Sequence, residues 1–106
     1  MPRQPIPIQR RILARVESRV INPALLDPCW LWLGARHKSG YGILSTTHGH
    51  FDYTHRLAYA EFVGPIPDGY DVHHACRVQT CCQPAHLWAL PHDEHTRLHD
   101  HLGVLA

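Results

Sequence analysis

Eleven histidines and four cysteines in 106 residues are the side chains of this sequence best equipped for chemistry. Cys76, Cys81 and Cys82 stand among His73, His74 and His86, and Cys29 lies alone upstream. The spacing Cys76-x4-Cys81-x4-His86 puts two thiols and an imidazole in one short loop. Zn²⁺ takes four such ligands in a tetrahedron, and a structural site leaves no position open. Cys29 is the expected fourth ligand; arriving from a distant strand, it would let the ion tie the two halves of the chain together. In so small a domain the ion would supply much of the folding free energy, on the order of 10 kcal/mol in small zinc modules. Burial of the thiols as small apolar groups is the plainer alternative. Two disulfides fit poorly, because Cys81 or Cys82 would have to pair outward in an awkward direction. Cys82, next to a ligand, is expected to be a core or spare thiol.

The histidines suggest a second site. His73-His74 closes a predicted strand, where adjacent side chains point to opposite faces, so one can bind a metal while the other addresses a substrate. His95 falls on the helix that follows, with His92 and His99 at i−3 and i+4 on nearly the same face. A strand and a helix that each present an imidazole to one spot make a small metal pocket beside the cysteine loop. His92, His99 and His101 read as solvated helix residues.

The elements that must position these groups follow from periodicity and breakers. Ile8, Ile12, Leu13, Val16 and Val20 predict an amphipathic helix over residues 7–20, with Arg11, Arg15 and Arg19 on another face. Asn22-Pro23 and Asp27-Pro28 end it. A strand over Cys29–Leu33, a turn at Lys38–Gly42 and a strand near Ile43-Leu44 predict a hairpin, with a third short strand at Phe51–Tyr53. Thr54 is the expected N-cap of a helix from His55 to Val63. After a stiff Gly64–Gly69 connector come a strand at Tyr70–His74, the cysteine loop, a strand at His86–Leu90 and a helix over 92–102. The fold class is α+β, one domain over 1–106: a basic N-terminal helix (1–25), hairpin and helix (28–63), and a strand–loop–strand–helix unit (70–102).

Composition narrows the possible partners. Residues 1–56 carry eight Lys/Arg against three acids, and residues 57–106 carry two against six. The basic half suits a polyanion and the acidic half a cation site. No apolar run is long enough for a membrane span, and the N-terminus lacks the apolar core of a signal peptide, so a cytoplasmic protein is expected.

The stretch His73-His74-Ala75-Cys76 through Cys81-Cys82-Gln83-Pro84-Ala85-His86-Leu87, followed by Glu94-His95, resembles the HNH, or ββα-metal, endonucleases. It is most similar to the zinc-bearing branch of phage HNH and His-Cys box homing endonucleases. Cys29-Trp30-Leu31-Trp32, Gly40-Tyr41-Gly42, His55-Arg56-Leu57-Ala58-Tyr59 and Gly64-Pro65-Ile66-Pro67 extend the likeness upstream. The resemblance implies a DNA partner, His74 as general base, His73 and His95 as holders of a catalytic Mg²⁺, and Cys29, Cys76, Cys81 and His86 as structural zinc ligands. Imidazole supplies a base near neutrality, and a cation at the scissile phosphate offsets developing charge. Arg11, Arg15, Arg19, Arg36 and Lys38 are the expected phosphate contacts.

Two positions depart from the family. His95 stands where this branch usually has Asn, which shifts preference toward Mn²⁺ or Ni²⁺. Ile43 stands where relatives place an Arg against the scissile phosphate. Arg56 is the expected substitute, with Lys38, His48 and Arg97 behind it, and a plain helix-start ion pair is its bland alternative. The expected function is metal-dependent DNA cleavage in a bacterial or phage-infected cell, by one chain or a homodimer. A zinc-stapled binding module without cleavage is the alternative, and a small-molecule zinc hydrolase fits less well.

Overall fold

A computed structural model describes residues 6–47 and 49–102, apart from the side chains of 99–102. His48 and the side chains of His99 and His101 lie outside the described residues. The chain begins with α1 (Ile8–Leu13), turns at Ala14-Arg15 and enters β1 (Val16–Arg19). The helix expected over 7–20 therefore stops after six residues. Its second half is claimed by an antiparallel partner: β1 pairs with β2 (Cys29–Trp32), Val16 opposite Trp32 and Arg19 opposite Cys29. β-branched Val16, Val20 and Ile21 suit that extended state. Arg11, Arg15 and Arg19 consequently share no helical face. Arg11 is on α1, Arg15 is in the turn, and Arg19 on β1 is engaged with Glu17 at 3.0 Å.

The expected pairing of Cys29–Leu33 with Ile43-Leu44 is also replaced. The chain does reverse between Arg36 and Gly42, which form an isolated bridge, with Gly40 at φ +102° in the turn. The ladder does not reach β2, because the other edge of β2 is occupied. Trp32 N–H donates to the Thr80 carbonyl (2.9 Å), and Cys82 N–H donates to that of Trp30 (2.8 Å). Cys29 thus comes from the second strand of the β1–β2 hairpin. β3 (Ile43–Ser45) pairs instead with β4 (Phe51–Tyr53), setting Ile43 against Tyr53 and Ser45 against Phe51.

The C-terminal half follows expectation closely. α2 (Thr54–Phe62) leads to β5 (Tyr70–His74), a 3-10 turn at Pro84–His86, β6 (Leu87–Pro91) and α3 (His92–Leu102). β5 and β6 are antiparallel, with His74 opposite Leu87. Thr54 is the first residue of α2 rather than its cap; it is buried, and its hydroxyl meets the Cys82 thiol. The described residues form a small α+β fold built of three two-stranded sheets and three helices.

One core joins the halves: Ile12, Trp32, Leu44, Ala58, Val72, Cys82 and Leu87. Trp32 is at its centre, its indole N–H held by the Ala35 carbonyl at 2.9 Å. Gly42 lies against that indole, and a Cβ there would collide with Thr54 Oγ1 and with Trp32 Cδ1 at 2.6 Å. Both neighbours are buried and cannot yield. Gly42→Ala is therefore expected to lower stability by about 1–3 kcal/mol in urea denaturation, as overpacking does. Gly64→Ala, which meets nothing within 4 Å, should stay close to wild type.

Candidate metal centre and histidine cleft

Cys29, Cys76, Cys81 and His86 converge, with one donor atom from each lying within 4.8 Å of all the others. β2 delivers Cys29, and Leu31 bridges to Cys81 two residues further on, so the strand fixes the loop directly. Arg77 takes φ +62°, turning the chain just after Cys76, and the 3-10 turn presents His86. His86 Nδ1 is 3.6 Å from the Cys29 sulfur and 3.5 Å from that of Cys81. The thiols share protons: the Cys81 hydrogen bond holds Cys76 down at about 5, the same contact pushes Cys81 up, and burial raises Cys29. A cation at the centre would displace those protons, and three sulfurs with one imidazole are a donor set that can bind a metal such as zinc. Cys82 stays out of the cluster, fully buried in the core as expected.

β5 alternates as strand geometry requires. Val72 and His74 are buried, while Asp71 and His73 are half-buried on the opposite face. His74, 1% exposed, donates a ring N–H to the Cys81 backbone carbonyl; its Nε2 has no hydrogen-bond partner among the described residues. The ring stacks on Tyr41 (5.9 Å) and meets His55 at a tilt (4.6 Å). Burial, then the His73 charge, lowers His74 to about 4; burial, then the His74 charge, lowers His55 to about 3. Both rings are neutral near pH 7.

On the other face of β5, the His73 and His95 rings meet edge to face at 5.2 Å. Asp71 Oδ2 accepts Nδ1–H bonds from His92 (2.7 Å) and His95 (3.0 Å). Burial pushes that carboxyl up, but the His92 and His95 hydrogen bonds outweigh it, and Asp71 ends below the ordinary carboxylate value. His92 is a solvated helix residue, as expected, that also donates to Asp71. A cleft of about 400 Å³ opens beside Asp71 and His95, lined also by Tyr41, Tyr53, His55 and Arg56; neither His73 nor His74 lines it. His74 sits one ring behind its wall.

Of the other residues singled out by charge, Arg56 lines this cleft, whereas Ile43, Arg11 and Arg15 line a different one. Arg36 and Lys38 are exposed around the 36–42 turn. Arg97, a reserve candidate, is held by Asp93 at 3.0 Å. Asp71 and His55 escaped the sequence reading. Asp71 had a usable signal, since it precedes His73 by two and shares its strand face; His55 had its place at a helix start and in the His55–Tyr59 stretch that resembles the family, but no role was assigned to it.

Because His55 is pressed neutral by burial, it binds fewer protons folded than unfolded once pH falls below about 6.5, and that deficit destabilises the fold down to about pH 3. Between pH 6.5 and 4, wild type should therefore lose about 1–3 kcal/mol more stability than His55→Phe, a comparison in which the thiol protonations common to both cancel. Parallel slopes for the two proteins in urea titrations would exclude this.

Residues 52–97 match the family model described as HNH endonuclease. The chain is 40% identical over 58 residues to the uncharacterized gene 5.3 protein of Enterobacteria phage T3, a match covering 52% of this chain and 56% of that protein. It is 37% identical over 60 residues to protein 2.8 of Escherichia phage T7, covering 56% of this chain and 40% of that protein. It thus spans about half the length of the curated relatives it matches. No solved structure matches significantly. The matched residues span α2, β5, β6 and the first half of α3, so this part of the chain is what is similar to the HNH endonuclease family.

Proposed function

We propose that residues 1–106 act as one domain, a metal-dependent endonuclease that hydrolyses phosphodiester bonds in DNA. The observation that carries this reading is His74, a neutral imidazole with one ring nitrogen tied to a backbone carbonyl and Nε2 without a hydrogen-bond partner among the described residues. That tautomer suits a general base. His74 Nε2 takes a proton from water, the water oxygen bonds to phosphorus, and the bond to the departing 3′ oxygen breaks. A basicity depressed by burial is raised again when a phosphodiester brings negative charge into the cleft. Arg56 meets the phosphate there, in the role that Ile43 cannot fill.

His73 and His95 would hold a divalent ion, which when bound offsets charge on the phosphate and the leaving oxygen. Asp71 fixes the tautomer of His95: with Nδ1–H on the carboxylate, the ring's lone pair is at Nε2, the atom that would ligate a metal. Two imidazoles favour Mn²⁺ or Ni²⁺ over Mg²⁺. Zinc belongs to the Cys29, Cys76, Cys81 and His86 cluster as a structural ion. No helix among the described residues is long and apolar enough to cross a membrane, and phage relatives support action inside an infected bacterial cell. The enclosure of His74 favours one competing reading, a zinc-stapled module that binds DNA without cutting it.

Supercoiled plasmid with Mg²⁺, Mn²⁺ or Ni²⁺ separates the two. Wild type should nick or linearise it, and His74→Ala should be slower by about 10²-fold or more. Equal inertness of both proteins in every metal would leave only the binding module. Asp71→Asn should raise the metal concentration needed for half-maximal rate by about 10- to 100-fold. For the structural ion, Cys29→Ser should bind less than one zinc per chain and melt well below wild type; retention of a full zinc by that variant would remove Cys29 from the ligand set.

A further inference from the structure

A larger cavity, about 650 Å³, lies outside the histidine cleft, between α1 and the β3–β4 ribbon. Arg10, Arg11 and Arg15 converge on it, and no acidic side chain lines it. None of the three is paired with a carboxylate among the described residues; Arg11 donates to Ser45 Oγ at 3.2 Å. The cavity is therefore a concentration of uncompensated positive charge with an apolar floor of Trp32, Ile43 and Leu44. Its rim is Phe51, a phenylalanine 53% exposed to solvent.

Phe51 also begins a row of rings. It lies 6.3 Å from Tyr53 and 6.3 Å from His37. Tyr53 is 5.8 Å from Tyr41, and Tyr41 stacks on His55 at 5.2 Å. Strand register explains the row: Phe51 and Tyr53 are two residues apart on β4 and so share a face. The far members of the row line the histidine cleft, so a chain of ring contacts links the arginine cavity to the site assigned above to cleavage.

We propose that this cavity and the aromatic row form a groove for an unpaired stretch of DNA, phosphates at Arg10, Arg11 and Arg15 and bases against Phe51 and Tyr53. Arginine contacts to phosphate hold single and double strands alike. Exposed ring faces do not, because a base inside a duplex is already stacked on both sides and only an unpaired base can lie on Phe51. The groove deepens the nuclease reading by naming the substrate as DNA with a single-stranded segment, and it rests on that reading only for what happens at the histidines.

The test is binding of zinc-loaded protein, without added divalent metal, to a labelled oligothymidylate of about twelve nucleotides and to a duplex of the same length, followed by fluorescence anisotropy. The single strand should bind about 10-fold more tightly at roughly 0.1 M salt, and Phe51→Ala should weaken it about 10-fold while leaving duplex affinity unchanged. Phe51→Tyr, which keeps a ring face, should retain wild-type affinity. Replacing Arg10 and Arg15 together by Ala should weaken both ligands and flatten the salt dependence. Equal affinity for the two ligands, or an unchanged single-strand affinity in Phe51→Ala, overturns the proposal. Plasmid cleavage is scored separately: selective binding without cutting would leave the groove standing and the nuclease reading fallen, and cutting without selective binding the reverse.

Discussion

The convergence of Cys29, Cys76, Cys81 and His86 is the constraint on which the rest of this small structure depends. Among the described residues only nine apolar side chains are buried, three of them cysteines, too few for a domain of this size to be strongly stable on packing alone. The four donors close a loop from β2 to the segment ahead of β6, the kind of long closure that removes most entropy from an unfolded chain. Backbone bonds between Trp30, Trp32 and the Thr80–Cys82 segment complete the splice. The same segment carries the Cys81 carbonyl that receives the His74 ring N–H. A metal centre and a candidate catalytic histidine are therefore one residue's backbone apart, and disorder in the first would be felt at once in the second.

Around that splice the chain sorts its imidazoles by strand face. On the core side, His74 and His55 are stacked with Tyr41 and kept neutral by lack of water. On the α3 side, His73 and His95 meet beside a carboxylate that orients one of them. Burial disfavours the charged form of an imidazole, and an adjacent carboxylate favours it. Alternation along five residues of β5 thus creates two chemically distinct environments, one in which burial keeps the imidazoles neutral and one in which a carboxylate stands beside them.

How legible this was in the sequence depended on how local each interaction is. The strand, loop, strand and helix from residue 70 to 102 could be read because ligand spacing, breakers and periodicity all act within a few residues of one another. The metal cluster could be read because few other roles fit two thiols and an imidazole at that spacing. Residues 16–19 were misread as helix because Val16 and Val20 sit at helical intervals, while the deciding fact, a partner strand at 29–32, is a tertiary one. β2 was given the wrong partner for a related reason: its free edge is taken by residues 80–82, fifty positions away. Asp71 could have been picked out by its shared strand face with His73, but its contacts with His92 and His95, like those of His55 with Tyr41 and His74, are tertiary.

X-ray absorption at the zinc edge of protein as purified tests the central claim most directly. The account predicts a first shell of three sulfurs near 2.3 Å and one nitrogen near 2.0–2.1 Å, with the typical distances of closed tetrahedral sites. A shell dominated by oxygen and nitrogen, or protein that is folded and free of bound metal, would contradict it.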